Sequence, residues 1–530
     1  MITKKGLSIL LAGTMVLSLA ACGGSTETAK AANSGGTEAT QENAAEKKKE
    51  PIVVNVCESG NSVVSLDFYK YSLHPEWQYA ECVYDSLLHA SYDGKFEPEI
   101  CTSYEIAEDG LSAVLHLADG VKFQDGTVLN ADDVVCTLNY LGKNKETLAM
   151  ISTVWGNLVG AEKVDDLTVK VNMDEKYHAF EAALGYTFIF SDEDFEKYGD
   201  QMWTQGVING SGPWKYKEWV DGQRMTFTRN DDYWKGQTSN VDELNIWYIT
   251  EANTIVSSLL SGEIDAVAKV DYDLLPMIEG NDNFEFTPYD VDSLNYLQFK
   301  CGSGDSFEDI NMRKAVMHAI NFEAFLNFYG GGSVLQCAAT PGNDGYVELG
   351  GYEYNPELAK EYLAKTNYDG RELSLASWTS SNNECTAIAS DLAAIGINVK
   401  LNLCDSAAFS ALRKEGNYDM FYGGVATWDG DLMTQYMVPR IANDSHNHGY
   451  QDDHIDELLY KADAETDREV RKEMLEEVIT WMHDNYGPIC GTVQKCATRV
   501  TRKGLEGISN MAGGIGFFRN VYVDEAVWHK

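Results

Sequence analysis

From residue 51 to residue 530 the apolar residues keep switching between a period of two and a period of 3.6, which limits the chain to a mixed α/β architecture. Leu167-Thr168-Val169-Lys170-Val171-Asn172-Met173 alternates strictly, as a half-buried strand does. Asn130-Ala131-Asp132-Asp133 opens an apolar run with an N-cap and an acidic first turn, which predicts a helix start. Glu384 to Ala394 reads as a helix closed by Gly396, after which Ile397, Val399, Leu401 and Leu403 alternate as a strand. Asn355-Pro356 starts another helix, with Leu358, Tyr362 and Leu363 on one face. Thr466-Asp467-Arg468-Glu469 reads as a capping box ahead of Val470, Met474, Val478 and Met482 at helical spacing. Helices interleaved with single strands predict helix-covered sheets. No internal repeat or long linker divides this stretch, so the several domains expected of 530 residues are woven together by more than one crossing of the chain.

One segment alone suits a membrane. Lys4 and Lys5 precede an apolar run from Leu7 to Leu19, shorter than the about 20 residues a spanning helix needs. A positive start, a short apolar run and small residues after it make the pattern of a secretory signal peptide. Its end, Leu19-Ala20-Ala21-Cys22, then Gly23-Gly24-Ser25, resembles the bacterial lipoprotein box, which implies removal of residues 1–21 and lipidation of Cys22. An ordinary signal peptide with a Cys beside its cleavage site is the alternative. Residues 23–50 contain no Ile, Leu, Val, Met or aromatic side chain and cannot bury enough apolar surface to offset ordering entropy. Residues 22–50 therefore read as a flexible tether, its 28 residues after Cys22 spanning about 30 Å root-mean-square.

The 82 acidic residues against 41 basic ones, a net charge of −41, argue against a nucleic-acid partner and against adsorption of the folded body to an anionic membrane. Eleven cysteines less Cys22 leave ten, with no CxxC pair, so a zinc ribbon or a thioredoxin-type motif has no support. Cys82, Cys101 and Cys136 sit among apolar neighbours, and we expect mostly reduced, structural thiols.

Between Glu97 and Leu141, Leu115-His116-Leu117-Ala118-Asp119-Gly120-Val121-Lys122-Phe123-Gln124-Asp125-Gly126-Thr127 leads to Ala131-Asp132-Asp133-Val134-Val135, two short strands with Asp-Gly turns before a capped helix. Then follow Gly210-Ser211-Gly212-Pro213-Trp214, Tyr233-Trp234-Lys235-Gly236, Leu260-Ser261-Gly262-Glu263-Ile264-Asp265, Gly396-Ile397-Asn398-Val399, and His454-Ile455-Asp456-Glu457-Leu458-Leu459. This ordered set resembles the family 5 extracellular solute-binding proteins, the oligopeptide, dipeptide and nickel receptors of ABC importers. The resemblance implies a two-lobed, periplasmic-binding-protein-like α/β fold with an extra α+β subdomain on lobe I. Carried over, lobe I comprises residues 51–90, 209–296 and 487–530, the extra subdomain 91–208, and lobe II 297–486, with Tyr296-Leu297-Gln298-Phe299 a crossing strand. It further implies a monomeric, extracytoplasmic, membrane-anchored receptor without a cofactor. Such a receptor captures a solute between its lobes and delivers it to an ABC permease. Peptide is the leading ligand class, with a saccharide or a nickel or metal chelate as alternatives.

Most motif residues read as structural. Gly120, Gly126, Gly222 and Gly262 suit turns that need positive φ, and Trp214, Trp219, Tyr233 and Trp234 suit a core. The first site candidate is the loop Thr427-Trp428-Asp429-Gly430-Asp431, after the strand that ends near Tyr422. In peptide-binding relatives this loop supplies a Trp, and an Asp that grips the peptide's α-amino group. Here Val425 stands where that Trp is expected and Leu432 replaces a Pro after Asp431, so Trp428 and Asp429 or Asp431 fill those roles with a shift, or the ligand is not a peptide. Asn61 and Ser62 follow the first strand, and Trp378 ends a strand opening lobe II. Arg413 occupies a position similar to a carboxylate-binding Arg of oligopeptide receptors, or else is a solvated helix-end Arg. Trp155 reaches the cleft from the subdomain, or packs in its core.

His446-Asn447-His448 with Asp452, Asp453 and His454 offers nitrogen and oxygen donors over a short stretch, but histidines so close together are commoner in solvated loops, and we expect no metal. No HExxH, GxSxG or Walker A sequence occurs, and Gly513-Gly514-Ile515-Gly516 lacks the later Gly of a dinucleotide fingerprint. A secreted glycoside hydrolase with two distant carboxylates ranks below the receptor.

Overall fold

A computed structural model describes residues 50–60, 62–70, 74–91, 95–148, 151, 154–291, 293–426, 446–511 and 515–528. The chain divides into residues 1–50 and 51–530, and the architecture below is that of the second unit. Among the described residues no helix is long and apolar enough to cross a membrane.

The strand Val53–Glu58 lies at the centre of the first large sheet, because Val54, Val56 and Cys57 bury on its two faces. Glu243–Tyr248 and Ala266–Val270 flank it in parallel. Arg224–Arg229 and Trp214–Val220 continue one side antiparallel; Val493–Arg502 and Phe284–Asp290 continue the other. In the second large sheet Leu373–Trp378 runs parallel to both of its neighbours, Val399–Cys404 at the edge and Met420–Ala426 at the centre. Ser293–Phe299 and then Ile489–Gly491 complete it antiparallel.

Two connections join the sheets. Phe284–Asp290 leads into Ser293–Phe299, and Ile489–Gly491 into Val493–Arg502. Register fixes where they cross. Asp290 leaves the first sheet beside Cys496, on the side where Ala266–Val270 ends, and Ser293 enters the second sheet opposite Ala426. The carboxyl edges of both parallel sets therefore face the same crossing.

A smaller sheet, in the order Cys101–Ile106, Ser112–Leu117, Thr168–Met173, Leu158–Asp165, carries the helix Ala131–Asn144. Asn130 and Asp133 form the reciprocal capping box expected there. The apolar residues of this sheet and one face of the first sheet share a continuous core, from Val54 and Ile246 to Leu115 and Val169. The second sheet has cores of its own. One lies under the helices Ile310–Ala319, Phe322–Tyr329, Pro356–Leu363 and Asn382–Ala394. The other lies under Ser406–Glu415, Asp453–Asp463 and Arg468–Asp484. Two bodies with separate cores, joined by two crossings, make the two-lobed α/β architecture with its added subdomain.

Local differences from the sequence reading are small. The helix Arg468–Asp484 is capped by Asp467, which accepts from the backbone of Glu469 and Val470, rather than by Thr466. A carboxylate both accepts and opposes the positive helix start, so it outcompetes a hydroxyl one residue away. The buried face accordingly runs through Leu475, Val478, Ile479 and Met482, and Val470 is exposed. Gly120, Gly126, Gly222 and Gly262 all have positive φ, and the ten cysteines of the described body are free thiols.

Candidate functional site

In open α/β sheets ligands lie outside the carboxyl ends of the strands, so the two facing edges bound a candidate ligand position. On the first edge Glu58 ends its strand, accepting from Gln78 Nε2 at 2.8 Å and from the Gly516 backbone at 3.2 Å. Burial pushes its carboxyl up, against those hydrogen bonds and the charge of Lys269. Ser62 follows, half-buried in an irregular segment. On the second edge Trp378 ends the strand Leu373–Trp378, half-buried, its ring 4.6 Å from that of Phe409.

Phe409 links this edge to Arg413. The two sit one turn apart on the helix Ser406–Glu415, and the guanidinium lies over the Phe409 ring at 5.1 Å and near the Phe421 ring at 5.8 Å. Arg413 Nη1 donates to His446 Nε2 at 2.9 Å. Nδ1 of that ring faces Gln298 Oε1 at 3.2 Å, Gln298 Nε2 donates to the Tyr418 hydroxyl at 3.0 Å, and Tyr418 donates to the His446 carbonyl at 2.7 Å. The Nδ1–H tautomer is the one that satisfies this ring. Burial, then the charges of Arg413 and His448, push His446 down to about 3, so the imidazole is neutral. Tyr296 lies beside the guanidinium; burial pushes its hydroxyl up to about 12 although Arg413 pulls the other way. Arg413 Nε is buried without a partner, and no carboxylate of the described residues pairs with this cation. The solvated helix-end alternative does not describe it.

The bodies also meet elsewhere among the described residues. Lys495, on the crossing strand, approaches Glu384 of the second body at 3.4 Å and lies over the Tyr329 ring, whose hydroxyl donates to the same carboxylate. Burial pushes the Lys495 ammonium down. At the rim, His178 of the subdomain comes within 3.0 Å of Asp463, without a well-directed hydrogen bond. Beside them, a cavity of about 150 Å³ lies between Tyr104, Phe180 and Glu181 of the subdomain and Arg468 and Arg471 of the second body.

Of the residues singled out from sequence, Trp378 and Arg413 are brought together through Phe409. Trp155 is fully buried, donates to Thr187 at 2.7 Å and meets Phe180 edge-on, so of its two readings it takes the core. Cys22, Asn61, Trp428, Asp429 and Asp431 lie outside the described residues. The donors considered for a metal serve separate ends. His446 holds Arg413, His448 accepts from Tyr450, Asp452 caps the helix Asp453–Asp463, and His454 meets Glu477. Among the described residues no three His, Cys, Asp or Glu converge on a metal position. Glu58, Gln298 and Tyr418 carry no sequence signal of a ligand site beyond the place of Glu58 at a strand end, and His446 stands out in the sequence as a metal donor and not as a partner of Arg413.

Residues 95–445 match the family described as bacterial extracellular solute-binding proteins, family 5 Middle. The glutathione-binding protein GsiB of Salmonella typhi is 26% identical over 388 residues, covering 70% of this chain and 74% of the relative. Among solved structures, HbpA2 from Haemophilus parasuis superposes with a TM-score of 0.78 at 21% identity, over 89% of this chain and 100% of that one. The periplasmic binding protein DppA from Helicobacter pylori, in complex with the peptide STSA, gives 0.73 at 20% identity, over 90% and 99%.

Proposed function

Because the chain belongs to the bacterial extracellular solute-binding proteins of family 5, a family of transporter receptors and not of enzymes, we propose that it is a lipid-anchored receptor that captures a peptide between its lobes and passes it to an ABC permease. The observation that carries the ligand class is the charge of Arg413, half-buried beside aromatic rings and matched by no carboxylate of the described residues. A cation so placed suits a ligand carboxylate, which an Arg fork grips with two parallel hydrogen bonds. In this reading Trp378 packs against the ligand's apolar part, Asn61 and Ser62 contribute from lobe I, and Asp429 or Asp431 takes its ammonium, with Trp428 alongside. A carboxylate-rich metal chelate satisfies the same cation; a neutral saccharide does not, and ranks last. Cys22 is the anchor in this reading, since stable attachment takes two or more acyl chains at about 0.8 kcal/mol per buried CH₂.

Native mass spectrometry of the full chain, purified in mild detergent, tests the ligand class. Co-purifying peptides with free carboxyl ends are the expected result, and a neutral sugar as the bound species would overturn it. Cys22→Ser should move the protein out of the membrane fraction; unchanged membrane association would remove lipidation from the account.

A further inference from the structure

An arginine reserved for a ligand poses a problem of its own. A carboxylate partner would hold the guanidinium firmly but would neutralise it in advance, and water alone would leave it charged but unaimed. We propose that His446 is a positioning residue that resolves this conflict: fixed as the neutral Nδ1–H tautomer by Gln298 and Tyr418, it accepts from Arg413 and aims the guanidinium while leaving its charge for an anionic group of the ligand. The proposal rests on the reading of Arg413 as a ligand contact.

Four observations carry it. The ring of hydrogen bonds from Arg413 through His446, Gln298 and Tyr418 back to the His446 carbonyl closes with every donor and acceptor matched in only one tautomer. His446 is buried to 4% exposure, so the ring cannot swing to water. Arg413 Nε remains buried and unpartnered, an unspent donor on the same guanidinium. Among the described residues the other neighbours of the cation are Tyr296 and the rings of Phe409 and Phe421, which attract it without cancelling its charge. Among the described residues, the groups facing His446 are Arg413 from its helix, Tyr418 and Phe421 from the strand region, Gln298 from the neighbouring strand, and His448 from its own segment. Among the described residues none is an acid that would favour a charged imidazole. Burial keeps the ring neutral far below neutrality, so the arrangement should hold across the pH range in which an exposed histidine titrates.

The test has two parts, one independent of any ligand. In the full chain labelled with ¹⁵N-histidine, the His446 signal, assigned by its loss in His446→Gln, should report a neutral Nδ1–H ring from pH 8 to pH 5. An Nε2–H ring, or one that gains a proton in that range, overturns the proposal. The second part measures affinity for a pool of tryptic casein peptides by native mass spectrometry. His446→Gln, whose amide can accept from Arg413 and donate to Gln298, should stay within about twofold of the parent. His446→Asp, which neutralises Arg413 in place, should lose about tenfold or more with an unchanged melting temperature. Equal retention by both variants would show that His446 does not reserve the charge. A parent chain that binds none of the pool would sink the peptide reading, and the tautomer would then judge His446 alone.

Discussion

Arg519 and Arg413 are both drawn out of water, and the fold surrounds them in opposite ways. Arg519, 4% exposed, donates to Asp85, to Glu99 at 2.9 Å, to the Tyr233 hydroxyl at 2.8 Å and to the Glu81 carbonyl at 3.1 Å. Two buried acids answer its charge, and Lys235 completes the set at 2.8 Å from Glu99. These residues bring together the chain end, the end of the helix His74–Val83, Glu99 and the segment around Tyr233, so the cluster ties distant parts of the chain to one another. Among the described residues Arg413 meets a neutral imidazole, a phenol and two rings. A compensated buried arginine fixes a fold; an uncompensated one is affordable only where something else arrives to pair with it.

The sharpest way to break this contrast is to remove each cation in turn. Arg519→Met leaves Asp85 and Glu99 buried together, and breaking such a network should cost about 3–5 kcal/mol of stability, read as a fall in the urea midpoint. Arg413→Gln should change stability by no more than about 1 kcal/mol, because it removes a cation–π contact but also an orphaned Nε. Its effect belongs to binding, where loss of the partner of a desolvated carboxylate costs about 2–5 kcal/mol, or roughly 30- to 5000-fold in affinity.

Acid sharpens the comparison from the other side. Burial pushes the Glu99 carboxyl up, but the charges of Arg519 and Lys235 outweigh it and hold the group below its ordinary value. A depressed carboxylate stabilises the fold above its unfolded value, about 4.3, and loses that contribution as pH falls through the folded value. The advantage of the parent over Glu99→Gln in urea titrations should therefore be full near pH 7 and shrink below about pH 4. The difference is the proper readout, since Glu58 and Asp67 are shifted upward by burial and act with the opposite sign. The smallest effect is expected at the rim: Asp463 is 41% exposed, and Asp463→Asn should alter ligand affinity by the about 0.2–1 kcal/mol typical of such pairs.

Local rules read much of the fold directly. Asn130 with Asp133, Asn355 before Pro356, and the alternation after Leu167 each state a cap or a strand within a few residues. Where two such signals compete, as Thr466 and Asp467 do, the choice depends on which oxygen reaches the orphan N–H groups, and a pattern of residue types does not say. The arrangement of lobes came from the ordered family motifs. The site is less legible because its partners are far apart in sequence. Gln298 meets His446 across 148 positions and Tyr418 across 120. Sequence proximity instead grouped His446 with His448 and His454, whose side chains serve different partners. Arg519 had no local signal at all, since its acids lie more than 400 residues away.

The claim that Arg413 keeps its charge for the ligand is tested most directly by a double-mutant cycle in titration calorimetry. A peptide that co-purifies with the chain is measured beside its C-terminal amide, each against the parent and against Arg413→Gln. The account predicts that amidation weakens binding to the parent by about 2–5 kcal/mol and to the variant by less than about 0.5 kcal/mol. Equal losses for both proteins would mean that the ligand's carboxylate is held elsewhere, and that the open charge of Arg413 has another purpose.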